Sequence, residues 1–169
     1  MSIEFLSDEQ REIGELARRF ADEQVAPQAA RWDRDHEFPR ETVAALGELG
    51  LMGVCVPPEL GGSGADFVSY ALVLEQISRA DAGLGTALAV HTGAGTMPIV
   101  VHGSEEQRQR LVPPLAQGHE IASFALTEAG SGSDAGAMLS RVEEQGDELL
   151  LSGTKQWVSN GSQAHNFTV

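Results

Sequence analysis

Residues 121–161 read IASFALTEAGSGSDAGAMLSRVEEQGDELLLSGTKQWVSNG, and the fold turns on how this stretch divides. IASFAL (121–126), ELLLSG (148–153) and KQWVS (155–159) are short and rich in leucine, β-branched or aromatic residues. Turn signals such as Gln145-Gly146-Asp147 separate them, so they predict strands. In KQWVS, alternation would put Trp157 and Ser159 on one face, where an indole and a hydroxyl could meet a flat heterocycle. A core tryptophan with its N–H satisfied explains the same residue. Gly130–Ala135, GSGSDA, fits G-x-G-x-x-A behind an apolar strand. The residues after it read as strand, turn and strand rather than the long helix that a dinucleotide-binding unit needs. The alternatives are a polar loop whose N–H groups meet an anionic or polar ligand and an ordinary turn capped by Asp134.

Upstream of this stretch the chain predicts helices. Ser7 with Gln10 and Ser104 with Gln107 form capping-box patterns. Ile13, Leu16, Ala17 and Phe20 follow at helical spacing, and Pro27 is expected to end that run near Val25. Pro39 opens a helix carrying Val43, Leu46 and Leu49, with Gly50 beyond its end. Two prolines and three glycines within residues 57–64 mark a loop. Asp66 then caps a helix whose stripe is Phe67, Tyr70, Ala71, Leu74 and Ile77. Residues 81–95, DAGLGTALAVHTGAG, are dominated by glycine and alanine. Interior helical glycine costs about 1 kcal/mol relative to alanine, so either close helix packing or a groove for an extended apolar ligand is implied. Pro98 is expected to interrupt, and Pro113-Pro114 to stop the helix that Ser104 opens. The expected class is α+β: an all-α domain over 1–119, then an incomplete antiparallel β domain over 120–169.

Eleven basic against 25 acidic residues give a formal charge of −14, which argues against nucleic acid and anionic membrane surfaces as partners. Cys55 is the single cysteine, so a disulfide within the chain or a cysteine metal cluster is excluded, and a reducing cytoplasm fits. The N-terminus lacks a basic-then-apolar leader pattern, and no uninterrupted apolar run reaches membrane-span length by this reading, which predicts no membrane insertion. The five histidines show no ligand or triad spacing, so no metal site is expected.

ALTEAGSGSDAG and LSGTKQWVSNG resemble, in order and separation, the paired flavin-binding signatures of the acyl-CoA dehydrogenase family. VPPELGGSGAD and GSEEQRQRLVPPLAQG extend the resemblance over nearly the whole chain. It implies a helical N-terminal domain, a middle β domain and a C-terminal helical domain absent from these residues. It implies FAD, an acyl-CoA substrate, α,β-desaturation with hydride transfer to flavin N5, an electron-transferring flavoprotein as acceptor, and a homo-oligomer, dimer or tetramer. By resemblance Phe124, Leu126, Thr127, Gly132 and Ser133 border the cofactor, with Thr127 on its pyrimidine side and Ser133 also touching the acyl-CoA. Trp157, Val158 and Ser159 border the other part of the ring, with Ser159 near N5. Ala129 stands where proline is usual, and Ser159 where threonine is common. The catalytic base is expected beyond Val169, and Glu128 is read as structural. An acyl-CoA oxidase or flavin monooxygenase on the same fold, and a non-catalytic subunit, are the alternatives. The 81–95 helix and Met97 are expected to line the acyl tail.

Overall fold

The structure, a computed structural model, describes residues 5–169; the first four, on which part of the leader reading rests, lie outside it. Helices run to Ala116 and strands begin at Ala122, in the α+β order expected. The α-helices are α1 (Asp8–Phe20), α2 (Ala26–Asp35), α3 (Arg40–Glu48), α4 (Phe67–Ala80), α5 (Ala82–Ala89), α6 (Met97–His102) and α7 (Glu105–Ala116). Their starts follow the caps. The Ser7 hydroxyl accepts from the Gln10 N–H at 3.1 Å while the Gln10 side chain accepts from the Ser7 N–H at 2.9 Å. Ser104 and Gln107 repeat this ahead of α7, and Asp66 accepts from the Ser69 N–H at 2.8 Å to open α4. Each such cap typically contributes about 1 kcal/mol.

The prolines behave otherwise than expected. Pro27 and Pro98 do not end their helices. A π-helical segment, Ala21–Val25, joins α1 to α2, and another, Val90–Thr96, joins α5 to α6. In both cases proline takes the second position of the following helix. A widened turn shifts the hydrogen-bond pattern, so the missing N–H falls where an α-helix start leaves donors unpaired. Pro113 and Pro114 likewise lie inside α7, which runs to Ala116. One consequence corrects the sequence reading of apolar runs. With Pro98 bridged, Ala82–His102 is a helical run of 21 residues at mean hydropathy 1.3, long and apolar enough by length and composition to cross a membrane. Here it serves as a core element, burying Leu84, Leu88, His91, Thr92, Gly95 and Thr96.

The main core joins Phe20, Val25, Trp32, Leu46, Val73 and Ile77 with Leu84 and Leu88. On α4 the buried face is Ser69, Tyr70, Val73 and Ile77, and Phe67 and Ala71 turn outward. The stripe is rotated from the expected one because α4 lies against α1 on that side. A second cluster gathers Val56, Leu60, Val112 and Ala116.

The strands are β1 (Ala122–Phe124), β2 (Arg141–Gln145), β3 (Glu148–Ser152) and β4 (Asn166–Thr168). β2 and β3 form the expected antiparallel hairpin, turning at Gly146 with φ +65°. β1 and β4 pair parallel, with Ala122 opposite Asn166, a departure from the all-antiparallel expectation. The long connection between them, which carries the hairpin, makes parallel pairing accessible. β1 rests on the π-helical segment of the core helix. A Cβ built on Gly95 would lie 2.6 Å from the Ala122 Cβ and 3.2 Å from the Ser123 nitrogen, so close packing accounts for this glycine. Gly85 is equally confined, against Ser78. Gly95→Ala is expected to push β1 off the helix and to destabilise by about 1–3 kcal/mol, as overpacked sites do. Denaturant unfolding measures it, and an unchanged midpoint would contradict the packing described.

Candidate functional site

The two polar segments at either end of the 121–161 stretch lie side by side, running in opposite directions. Asn160 Nδ2 donates to the Ala122 carbonyl at 3.2 Å and to Ala87 at 2.9 Å. Ser123 Oγ donates to the Ser159 carbonyl at 2.6 Å. The Gln156 N–H donates to the Thr127 carbonyl at 2.7 Å. Lys155 Nζ donates to the Leu126 carbonyl at 3.0 Å and to Glu128 Oε1 at 2.9 Å. Residues 122–128 and 155–160 are thereby brought together across about thirty intervening residues.

KQWVS is nevertheless not a strand. Trp157 has φ +56° and Asn160 φ +63°, so the segment coils, and the same-face relation expected for Trp157 and Ser159 does not apply. Side-chain bonds from Lys155 and Asn160 replace the ladder that a strand would have made. The Trp157 side chain is 87% exposed. Phe124, Leu126, Thr127, Val158 and Ser159 are half-buried, and Gly132 and Ser133 are exposed. The structure thus gathers Phe124, Leu126, Thr127, Trp157, Val158 and Ser159 at one seam, with Gly132 and Ser133 on the turn that leads away from it. In that turn Glu128 and Ser131 exchange backbone bonds of 2.9 and 3.1 Å, and Ser131 Oγ donates to the Asp134 carbonyl at 2.6 Å. Only the short 3₁₀ turn Ala135–Ala137 follows, where a dinucleotide unit would need a long helix. Nothing lies within 4 Å of a Cβ built on Gly130 or Gly132, so this loop leaves room beside its backbone.

Glu128, read as structural, is buried and lies outside any strand. Its carboxylate accepts from the Leu139 and Ser140 N–H groups at 2.7 and 2.9 Å and from Lys155. The adjacent Ser140 side chain, these two N–H groups and the ammonium hold it down at about 2. Lys155 and Asn160, the two residues that hold the seam, are missed by sequence reading. The Asn160-Gly161 turn signal marks a bend there but not a partner.

A cleft of about 530 Å³ opens beside Ser159 and Asn160, between Trp32, Phe38, Leu84, Thr86 and Ala87. Of the residues expected to line an acyl tail, Asp81, Gly83, Leu84, Thr86 and Ala87 border this cleft. Ala94 does not line it, and Met97 packs instead on the Val56 cluster, because the π-helical segment rotates the end of the helix away.

Residues 7–119 match the family described as acyl-CoA dehydrogenase, N-terminal domain, and residues 123–169 match acyl-CoA dehydrogenase, middle domain. The chain belongs to the acyl-CoA dehydrogenase family. It is 41% identical over 97% of its length to a probable acyl-CoA dehydrogenase, YngJ, of Bacillus subtilis, and 42% identical over 90% to the mitochondrial short-chain specific acyl-CoA dehydrogenase of Mus musculus. These matches span 43% and 37% of the relatives' lengths. The acyl-CoA dehydrogenase of Bacillus anthracis, solved in complex with FAD, superposes with TM-score 0.93 at 38% identity, covering all of this chain and 29% of that one.

Two groups make stability depend on acid. Burial pushes the His91 imidazole down from 6.5 to about 4, against a smaller opposing effect of the Leu115 carbonyl. The unfolded chain therefore takes up this proton first. Its contribution, on the order of 3 kcal/mol, is complete above pH 6.5 and lost as pH falls toward 4. Glu128, lowered from 4.5 to about 2, contributes fully above pH 4.5 and loses that contribution as pH falls toward 2. Urea midpoints are expected to decline through these two windows in succession. His91→Asn should flatten the first; a wild-type midpoint constant from pH 7 to 4 would contradict the His91 assignment.

Proposed function

We propose that this chain forms the helical and first β portions of an FAD-dependent acyl-CoA dehydrogenase. The observation that carries the reading is the seam itself. Thr127 and Trp157 are separated by one residue across the Gln156–Thr127 backbone bond, and the indole is exposed where a planar ring could cover it. The half-buried hydroxyl residues Thr127 and Ser159 and the open turn at Gly130–Ser133 fit the edge of a polar heterocycle. When bound there, a flavin would supply a hydride acceptor for the substrate's β-hydrogen.

In this reading Phe124, Leu126 and Thr127 bound one part of the ring, and Trp157, Val158 and Ser159 bound the other. Gly132 and Ser133 let the acyl-CoA approach from the open turn. Aromatic cover of this kind typically supplies about 0.5–1.5 kcal/mol beyond area burial. Proton abstraction α to the thioester is assigned to a carboxylate outside these residues. Glu128 is unsuited to it: it is committed to Lys155 and two N–H groups, and held at about 2 it is too weak a base. An electron-transferring flavoprotein takes the electrons onward. The protein is a cytoplasmic homo-oligomer without membrane insertion.

The full-length protein should purify with a flavin absorption spectrum, and Trp157→Ala should weaken flavin binding about tenfold, the loss expected for one aromatic contact. A colourless wild-type protein that does not take up added FAD would overturn the reading. The cleft at Ala87 gives a second expectation. Ala87→Leu should shift kcat/KM toward shorter acyl-CoA substrates, by roughly 10–200-fold against the longest for one or a few methylenes of lost space; an unchanged chain-length profile would place the acyl tail elsewhere.

A further inference from the structure

β1 is only three residues long, and among the described residues one of its edges has no strand beside it. The Ile121 carbonyl accepts from the His165 and Asn166 N–H groups at 2.8 and 3.3 Å, and the Ala125 N–H donates to Thr168 at 2.8 Å. These residues face β4. In a strand, successive residues address opposite edges, so Ala122, 1% exposed, must find partners on the other side. Two side chains supply them. The Ala122 N–H donates to His91 Nδ1 at 3.0 Å, and its carbonyl accepts from Asn160 Nδ2 at 3.2 Å.

His91 is fully buried on the core helix. Its ring nitrogens are both engaged, since Nε2 donates to the Leu115 carbonyl at 3.2 Å while Nδ1 accepts from Ala122. Those two bonds define one neutral tautomer, with the proton on Nε2. Phe38, Leu46, Leu88 and Ile121 line the small space beside the ring, and burial is the leading influence on its titration. What only a lone-pair-bearing side chain provides is an acceptor for the Ala122 N–H, which would otherwise be buried without a partner.

We propose that His91 is a positioning residue whose neutral imidazole takes the place of an absent neighbouring strand on the open edge of β1. By holding Ala122 it sets where Phe124, Leu126 and Thr127 stand relative to the helical layer. The consequence for catalysis rests on the flavin reading above; the consequence for the strand does not.

The test is made in the full-length protein with two substitutions that divide the imidazole's bonds. His91→Asn places an amide oxygen near the Nδ1 position and keeps an acceptor for Ala122. His91→Gln places an amide nitrogen near Nε2 and keeps the donor to Leu115 but not that acceptor. Both remove ring volume and both should lower Tm. Hydrogen exchange of the peptide covering 121–126 should rise about tenfold in His91→Gln and stay near wild type in His91→Asn, as loss of one buried bond predicts. Flavin Kd should follow the same split. Exchange and Kd that change equally in both variants, in step with Tm, would reduce His91 to a packing residue and overturn the proposal. So would wild-type protection in His91→Gln. If exchange splits as expected while no form of the protein binds flavin, the positioning role stands and the cofactor reading falls. Should neither variant fold, ¹⁵N-histidine spectra of the wild type decide: an Nε2–H tautomer with a through-bond coupling from Nδ1 to the Ala122 amide supports the proposal, and a proton on Nδ1 overturns it.

Discussion

The ammonium of Lys155 is the constraint from which the seam follows. It reaches the Leu126 carbonyl, the Glu128 carboxylate and the Met138 sulfur, and so ties three separate stretches of the chain to one point. Glu128 extends the tie through the Leu139 and Ser140 N–H groups. Buried ion pairs are weak evidence for net stability, because desolvation offsets much of their attraction. Their geometric consequence is firmer. Removing either partner leaves a charge without compensation in a site where both side chains are about nine-tenths covered. The chain is therefore confined to arrangements in which 126–128 abuts 155, and the Gln156–Thr127 bond and the placing of Trp157 follow from that.

The helical layer solves a different problem: how to carry prolines through a core without breaking it. Each π-helical segment delivers its following proline to the second position of an α-helix, where no donor is required. The second segment also turns the helix so that Gly95 meets β1 and Thr168 Oγ1 reaches the Gly95 carbonyl at 3.1 Å. π-helical segments recur at functional sites because the widened turn re-aims side chains and carbonyls. Here it brings His91, Thr92 and Thr96 to bond with Leu115, Met52 and the His91 carbonyl respectively. A regular α-helix through 82–102 would have presented different residues to the β region.

These two devices mark the border of what the sequence makes legible. Local signals were readable because their causes are local: Ser7, Ser104 and Asp66 each act on an N–H three residues away, and Gly146 acts within its own turn. The hairpin, the order of helices and strands, and the seam as a pair of motifs were legible for that reason or by resemblance. Pro27 and Pro98 misled because their effect depends on the bonding pattern of the preceding turn, which composition does not reveal. The Lys155–Glu128 pair joins residues 27 apart, and the His91–Ala122 bond residues 31 apart. Nothing in a lone lysine or histidine announces such a partner. The expected strand at KQWVS failed in the same way, since its β propensity is overridden by side-chain bonds made at Lys155 and Asn160.

Trp157 shows how these constraints bear on function. A bulky non-glycine residue at φ +56° occupies a region that costs roughly 1–3 kcal/mol and persists only when its surroundings over-determine it. The anchors are present on both sides, at Gln156 through Thr127 and at Asn160 through Ala87 and Ala122. Yet within this chain the indole gains little in return, being 87% exposed. Trp32, on α2, shows the ordinary outcome: it is buried in the core with 6% exposure. An aromatic held in a strained conformation and turned to solvent is stabilised when something flat covers it, and the hydroxyl-bearing edge formed by Thr127 and Ser159 lies beside it. In the flavin reading proposed above, the backbone strain at Trp157 and its exposed ring are two parts of one arrangement that the Lys155 tie holds in place.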